Sequence, residues 1–279
     1  MALSEALTPV TLGPDGVLDC LALSDEAGWN QTADDWHLFV RQGRVFGLRD
    51  GGVDGPLVAT AAALPYGGGV GWVSMVLVTP AWRHQGLATT LMERCVAHLR
   101  SLGATPVLDA TPAGQQAYTR VGFEDGFALA RWEGTVLAGA SVCSATPADA
   151  TTVSRLDARA SGCGRGFLLA DFLQRGGSRA WMAPGNTGFA IAREGRRATQ
   201  LGPLAAEDES AALSLLQAAL ADLRGRVFLD VPERWASLVA WLEQNGFARQ
   251  RSFVRMALGT APIASVNDRL FVLAGPEFG

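Results

Sequence analysis

The chain has 279 residues, of which 48% are hydrophobic and 18% charged, so it suits one large or two medium packed domains rather than a disordered segment. Its formal net charge is -4 and its basic residues form no stripe, which argues against nucleic acid as a main partner. No apolar run reaches the ~18 to 20 residues of a membrane span, and no charged segment followed by an apolar one opens the chain, so a cytoplasmic protein with no membrane partner is expected.

In chain order, Val17 to Ala27 predicts a helix, followed by the loop Gly28-Trp29-Asn30-Gln31-Thr32. Thr32 or Asp34 can cap a second helix to about Gln42, with Trp36, Phe39 and Val40 on one face. Val45–Arg49, Leu57–Leu64 and Trp72–Val78 read as strands, separated by Asp50-Gly51-Gly52 and Tyr66-Gly67-Gly68-Gly69. After Thr79-Pro80 comes a short loop, Arg83-His84-Gln85-Gly86-Leu87-Ala88, and then a helix with apolar positions at Ala88, Leu91, Met92, Cys95, Val96 and Leu99. A strand over Pro106–Thr111, a helix from Pro112 to Val121 stopped by Gly122, and a strand over Phe127–Trp132 follow. The cysteines Cys20, Cys95, Cys143 and Cys163 show neither CxxC nor Cys/His spacing; they read as core thiols, and no metal is expected.

The loop at residues 83 to 88 carries the most chemistry. The first N–H groups of a helix have no internal partner and sit at the positive end of its dipole. With small residues at Gly86 and Ala88, a phosphate oxygen can approach that backbone closely. An ordinary strand-to-helix connection fits the same residues. Other phosphate loops do not: the chain has no Gly-x-Gly-x-x-Gly after a strand and no Gly-Lys-Ser/Thr.

Val78-Thr79-Pro80 followed by Arg83-His84-Gln85-Gly86-Leu87-Ala88 resembles the acyl-CoA loop of the GNAT acyltransferase superfamily, Arg/Gln-x-x-Gly-x-Gly/Ala after a strand ending Val-x-Pro. Ala117-Tyr118-Thr119-Arg120-Val121-Gly122-Phe123 resembles the Leu-Tyr-x-x-x-Gly-Phe motif of the same superfamily. In that family the loop, its helix and the tyrosine belong to one site in this order. The resemblance implies an α/β (α+β) fold, with a mixed, mostly antiparallel central sheet flanked by helices. In it two neighbouring central strands splay, and the acyl-CoA arm enters the gap.

The resemblance further implies acetyl-CoA as cosubstrate and no metal. Backbone groups of Val76, Leu77 and Val78 face the pantetheine amides, and Arg83, His84, Gln85, Gly86, Leu87, Ala88 and Thr89 form the phosphate cradle. The Val76 N–H is the candidate donor to the oxyanion. Tyr118 is the candidate acid for the departing thiolate, with a buried aromatic as the competing reading. An acceptor amine has a pKa near ~10, so a base or a water chain must remove its proton; His37, on a predicted helix, is open to that role, but a surface or core histidine accounts for it better, and no base is assigned. Trp29, Asn30 and Tyr66 lie in loops expected to face the acceptor, and loop packing accounts for them as well.

The chain also repeats itself. Val107-Leu108-Asp109-Ala110-Thr111-Pro112 and Tyr118 to Phe123 are echoed by Phe228-Leu229-Asp230-Val231-Pro232 and Leu242 to Phe247. Ala211 to Arg224 reads as an amphipathic helix in the place of the one that follows residue 86. Two copies of one domain are expected, a catalytic one over 1–140 and a degenerate one over 141–279, parting near Val136 to Pro147. In the second copy Glu207, Asp208 and Glu209 replace the phosphate loop, and Leu242 replaces Tyr118. Acids there repel a phosphate, and simple helix capping predicts the same residues. The second copy is expected to be structural or to shape the acceptor cleft.

The implied activity is acetyl transfer from acetyl-CoA to a primary amine of a small-molecule acceptor, by a monomer or homodimer. A non-catalytic acyl-CoA-binding protein, or an acyltransferase with another donor or an oxygen acceptor, fits the same residues.

Overall fold

The computed structural model describes residues 7–137, 149–259 and 268–279. Most of the expected boundary between the repeats therefore lies outside the described residues. The chain forms two compact units, Met1–Pro106 and Val107–Gly279, and has a mixed α/β fold with mostly antiparallel pairing. Among the described residues no helix is long and apolar enough to cross a membrane.

The first unit runs β1 (Leu7–Leu12), α1 (Val17–Glu26), α2 (Ala33–Gln42), β2 (Arg44–Asp50), β3 (Leu57–Tyr66), β4 (Val70–Val78) and α3 (Leu87–Ser101). β1 to β4 pair in sequence as an antiparallel meander. The sequence reading lacks β1. Pro9 breaks the ladder pattern, and it is tolerated because β1 pairs on one side with β2 as an edge strand. Thr32 starts α2 with a capping box: its N–H donates to the Asp35 carboxylate at 2.8 Å. The buried Trp36 donates from Nε1 to Ser24 Oγ at 3.0 Å and ties α2 to α1. α3 buries Leu87, Leu91, Met92, Cys95, Val96 and Leu99, the periodic face read from the sequence. It lies close on the sheet because β4 has Gly71 beneath it, where a Cβ would stand 2.4 Å from Leu99 Cδ2.

The second unit comprises β5 (Thr105–Ala110) from Val107 onward, α4 (Pro112–Arg120), β6 (Glu124–Val136), α5 (Ala150–Ser161), α6 (Gly166–Gln174), β7 (Arg179–Met182), β8 (Phe189–Arg193), β9 (Thr199–Ala205), α7 (Glu209–Asp222), β10 (Gly225–Pro232), α8 (Ala236–Gln244), β11 (Ala248–Ala257) and β12 (Leu270–Val272). Its strand order is β5-β11-β6-β10-β9-β8-β7, with β12 on β9. The apolar core of this unit joins Ala130 and Trp132 to the helix faces at Leu215, Leu216, Leu238 and Leu242.

The repeats exchange their last strands. β11, from the second half of the chain, lies between β5 and β6; β6, from the first half, lies between β11 and β10. The register keeps the symmetry of the repeat. Trp132 faces Arg249 as Met256 faces Asp125, Ala130 faces Ser252 as Val254 faces Ala128, and Leu129 and Phe253 face each other on the local axis. Two equivalent buried ion pairs lock the exchange. Arg255 donates to Asp109 at 2.8 and 2.9 Å, and Arg131 donates to Asp230 at 3.0 and 2.8 Å. Each is a fork of two parallel bonds between directly facing residues, which a register slip would separate.

Candidate active site

In the first unit, β4 carries a bulge where the site is expected. Ala62 faces Ser74 and Thr60 faces Leu77, so Ala61 alone stands opposite Met75 and Val76. Met75 takes a left-handed backbone (φ 54°), a conformation that costs a non-glycine residue about 1–3 kcal/mol and gathers at functional sites. Thr60 holds it, donating from its buried hydroxyl to the Met75 carbonyl at 2.9 Å. Beyond the bulge Val76 and Val78 are half-buried while Leu77 points into the core.

The strand runs into the predicted loop. The Thr79 N–H closes on the Val58 carbonyl at 2.9 Å, and Arg83 folds back to donate from Nε to the Val78 carbonyl at 3.1 Å. Arg83 therefore frames the loop. Residues 83 to 86 are exposed. Gly86 is the N-cap of α3 with φ 80°, the left-handed region that favours glycine, and it supplies no side-chain cap. The first turn of α3 holds no acid, and the Thr90 N–H makes the first bond back, to the Gly86 carbonyl at 3.0 Å. The donors of Leu87, Ala88 and Thr89 thus open a positive helix end that no side chain of its own caps.

The acceptor-side residues divide. Trp29 is half-buried in the α1–α2 loop, and Asn30 is buried beside it. Tyr66 is not in a loop: it pairs with Val70 as the last residue of β3, buried, with its ring 6.5 Å from that of Trp72. The strand runs two residues longer than read because Val70 and Gly71 pair back before the glycine turn ends the ladder. Two residues that the sequence did not single out stand here. Gln31 Oε1 and Ser74 Oγ are buried oxygens with no hydrogen-bond partner. Only burial reveals them, since neither type nor spacing marks them in the sequence. His37 is half-buried on α2.

In the second unit, α4 starts at Pro112 with Thr111 as its cap, the Thr111 hydroxyl accepting from Gly114 N at 3.3 Å. Tyr118 is half-buried, and its ring lies back over the preceding turn. A Cβ on Gly114 would stand 2.9 Å from Tyr118 Cε2, so Gly114 makes room for the ring, and Phe123 packs at 6.1 Å on another side. Gln115, Gln116, Thr119 and Arg120 line a shallow surface depression on this helix. Burial pushes the Cys20 thiol up to about 12 and raises Cys95 and Cys163 as well, so these three are protonated and inert near neutral pH. Cys143 lies outside the described residues.

The repeat equivalents differ at each point. Asp208 caps α7 by accepting from Ala211 N at 2.8 Å, and Glu209 accepts from Leu238 N at 3.0 Å, so this turn is filled by the chain's own acids. Leu242 is fully buried in the core. β9 and β10 pair in parallel only at Thr199–Val227 and Gln200–Phe228. Beyond that point β12 stands between them, pairing with β9 at Leu204 and Ala205, while Leu273 N donates to the Asp230 carbonyl at 2.8 Å. The segment is anchored. Arg193 donates to Glu277 at 2.6 Å, Arg165 donates to the Phe278 carbonyl at 2.9 Å, and Phe278 packs on Phe172. Gly202 (φ 145°) allows the approach, since a Cβ there would meet the Leu273 carbonyl oxygen at 2.0 Å.

Two family profiles match the chain. That of the Acetyltransferase (GNAT) family covers residues 18–123, and that of an Acetyltransferase (GNAT) domain covers residues 153–272. No curated protein matches it. Among solved structures, a presumed acetyltransferase from Pyrococcus horikoshii aligns over 100% of this chain and 98% of its own, at 19% identity and a TM-score of 0.80. A GCN5-related N-acetyltransferase from Sphaerobacter thermophilus aligns over 92% and 96%, at 14% identity and 0.64. A tandem GNAT protein from the clavulanic acid biosynthesis pathway aligns over 91% and 99%, at 19% identity and 0.62. At such identities the likeness is one of fold. With one profile on each repeat and both motifs in the first, the chain belongs to the GNAT acetyltransferase family, as a tandem protein.

Proposed function

We propose that the protein transfers an acetyl group from acetyl-CoA to a primary amine of a small-molecule acceptor, and that only the first copy, residues 1–140, carries the chemistry. The observation that carries this reading is the contrast between two equivalent helix starts. α3 opens on Gly86 with no side-chain cap and no acid, whereas α7 opens on Asp208 and Glu209. The residues present suit a pyrophosphate at α3: small, exposed and free of negative charge. The Val76 N–H, next to the strained Met75, is the donor to the carbonyl oxygen as charge develops there. Tyr118 donates a proton to the leaving sulfur; a phenol does this near neutral pH because its own pKa is near ~10. Trp29 and Asn30, in the α1–α2 loop, orient the acceptor, a neutral aromatic and amide pair suited to a small polar molecule.

Calorimetry with CoA, followed by thiol release from acetyl-CoA against an amine panel, tests the reading. One CoA per chain is expected, because β12 fills the second copy; two per chain would refute the single-site assignment. CoA binding without thiol release for any amine of the panel would favour a non-catalytic binder. Gly86→Val, which places a β-branched residue at φ 80°, is expected to weaken CoA binding at least tenfold while leaving the fold intact by circular dichroism.

A further inference from the structure

We propose that Arg255, contributed by the second copy, positions Tyr118 through Asp109 and the start of α4. This rests on the assignment of Tyr118 as the acid. Asp109 lies on β5 two residues before Thr111, whose hydroxyl caps α4 at Gly114 N, and Gly114 is the residue over which the Tyr118 ring lies. The Asp109 side chain is 0% exposed and that of Arg255 4%, so the two-bond fork between them fixes the carboxylate in a water-free setting. Burial raises Asp109 toward its neutral form, and the Arg255 guanidinium opposes this. The other end of α4 is held from the same source. Gly122, which follows α4 at φ 97°, leaves room for Leu258, whose Cδ1 would stand 3.2 Å from a Cβ there. The helix bearing the acid is thus gripped at both ends by residues of the degenerate copy.

The molecule contains its own control. The Arg131–Asp230 pair has the same geometry and burial, but it leads to α8, where Leu242 stands in place of Tyr118. A merely structural role for the forks predicts similar effects from both. The test compares Arg255→Lys with Arg131→Lys in the full chain, using acetyl-CoA and the acceptor that the amine panel selects. Arg255→Lys is expected to lower kcat about ten- to a hundredfold, the scale of a misplacement of about 1 Å, with CoA affinity unchanged. Arg131→Lys is expected to keep kcat near wild type.

A phenol titration gives a second readout. The chain has two tyrosines, and a Tyr66→Phe background assigns the phenol that remains to Tyr118. Its midpoint is expected to move in Arg255→Lys and to stay in Arg131→Lys. Equal kcat in the two variants, or a CoA affinity that falls in step with kcat, overturns the proposal. Full turnover by Tyr118→Phe would instead refute the acid assignment, leaving the titration to report whether Arg255 places the ring. If Arg255→Lys does not fold, Leu258→Ala, which strands no buried charge, carries the test with the same loss in kcat alone.

Discussion

Asp230→Ala is expected to lower the free energy of unfolding by about 3–5 kcal/mol, the usual cost of stranding one member of a buried pair. The carboxylate is completely buried and accepts from both Arg131 and Gln200 Nε2, the latter at 2.9 Å. Without it, Arg131 keeps its charge in a setting where Gln200 Oε1, at 3.4 Å, and the face of Phe228 remain as partners. Urea unfolding followed by fluorescence measures the loss, with an unchanged m-value showing that the folded state keeps its extent. Removing both partners, as Asp230→Leu with Arg131→Met, is expected to recover most of it, because apolar replacements of a buried pair are often neutral. A single substitution costing under about 1 kcal/mol would mean that water reaches the pair, contrary to its burial.

Tyr118→Phe is expected to lower kcat by about 10²- to 10⁴-fold, the range for removing a positioned general acid, without changing the affinity for CoA. The phenylalanine ring keeps the packing on Phe123 and over Gly114, so the fold should be unaffected. Steady-state kinetics with the selected acceptor, beside calorimetry with CoA, separates the two quantities. A drop in both would assign Tyr118 to binding, and a drop in neither would remove it from the mechanism.

The residues that made the site legible are those whose chemistry is local. Gly86 before an apolar-periodic helix, and a tyrosine at a set distance from a glycine stop, announce themselves because each motif is contiguous in the chain. The two helices, the strands of the first half and the face of α3 were readable for the same reason. β1 was not, since an edge strand containing proline carries little pattern. Gln31 and Ser74 were not, because an unpartnered oxygen is a property of packing. The strand exchange was hidden too. The sequence shows Asp109 and Asp230 as repeat equivalents, but nothing in it says that each pairs with the arginine of the other repeat. The acids at 207 to 209 marked the second copy as altered, while the occupant of the gap between β9 and β10 arrives from more than sixty residues downstream, beyond the reach of any local pattern.

That occupant bears on what the second copy has room to bind. A segment tethered to the same chain competes with any dissolved molecule at an effective concentration of roughly millimolar or above. Leu273 presents a main-chain amide to Asp230 in the gap between β9 and β10, and the anchors at Arg165 and Arg193 keep it there. Rewriting Glu207, Asp208 and Glu209 into a phosphate loop would therefore leave the gap taken. The second copy thus differs from the first not only in the acids at its helix start but in a segment of its own backbone that fills the gap between β9 and β10.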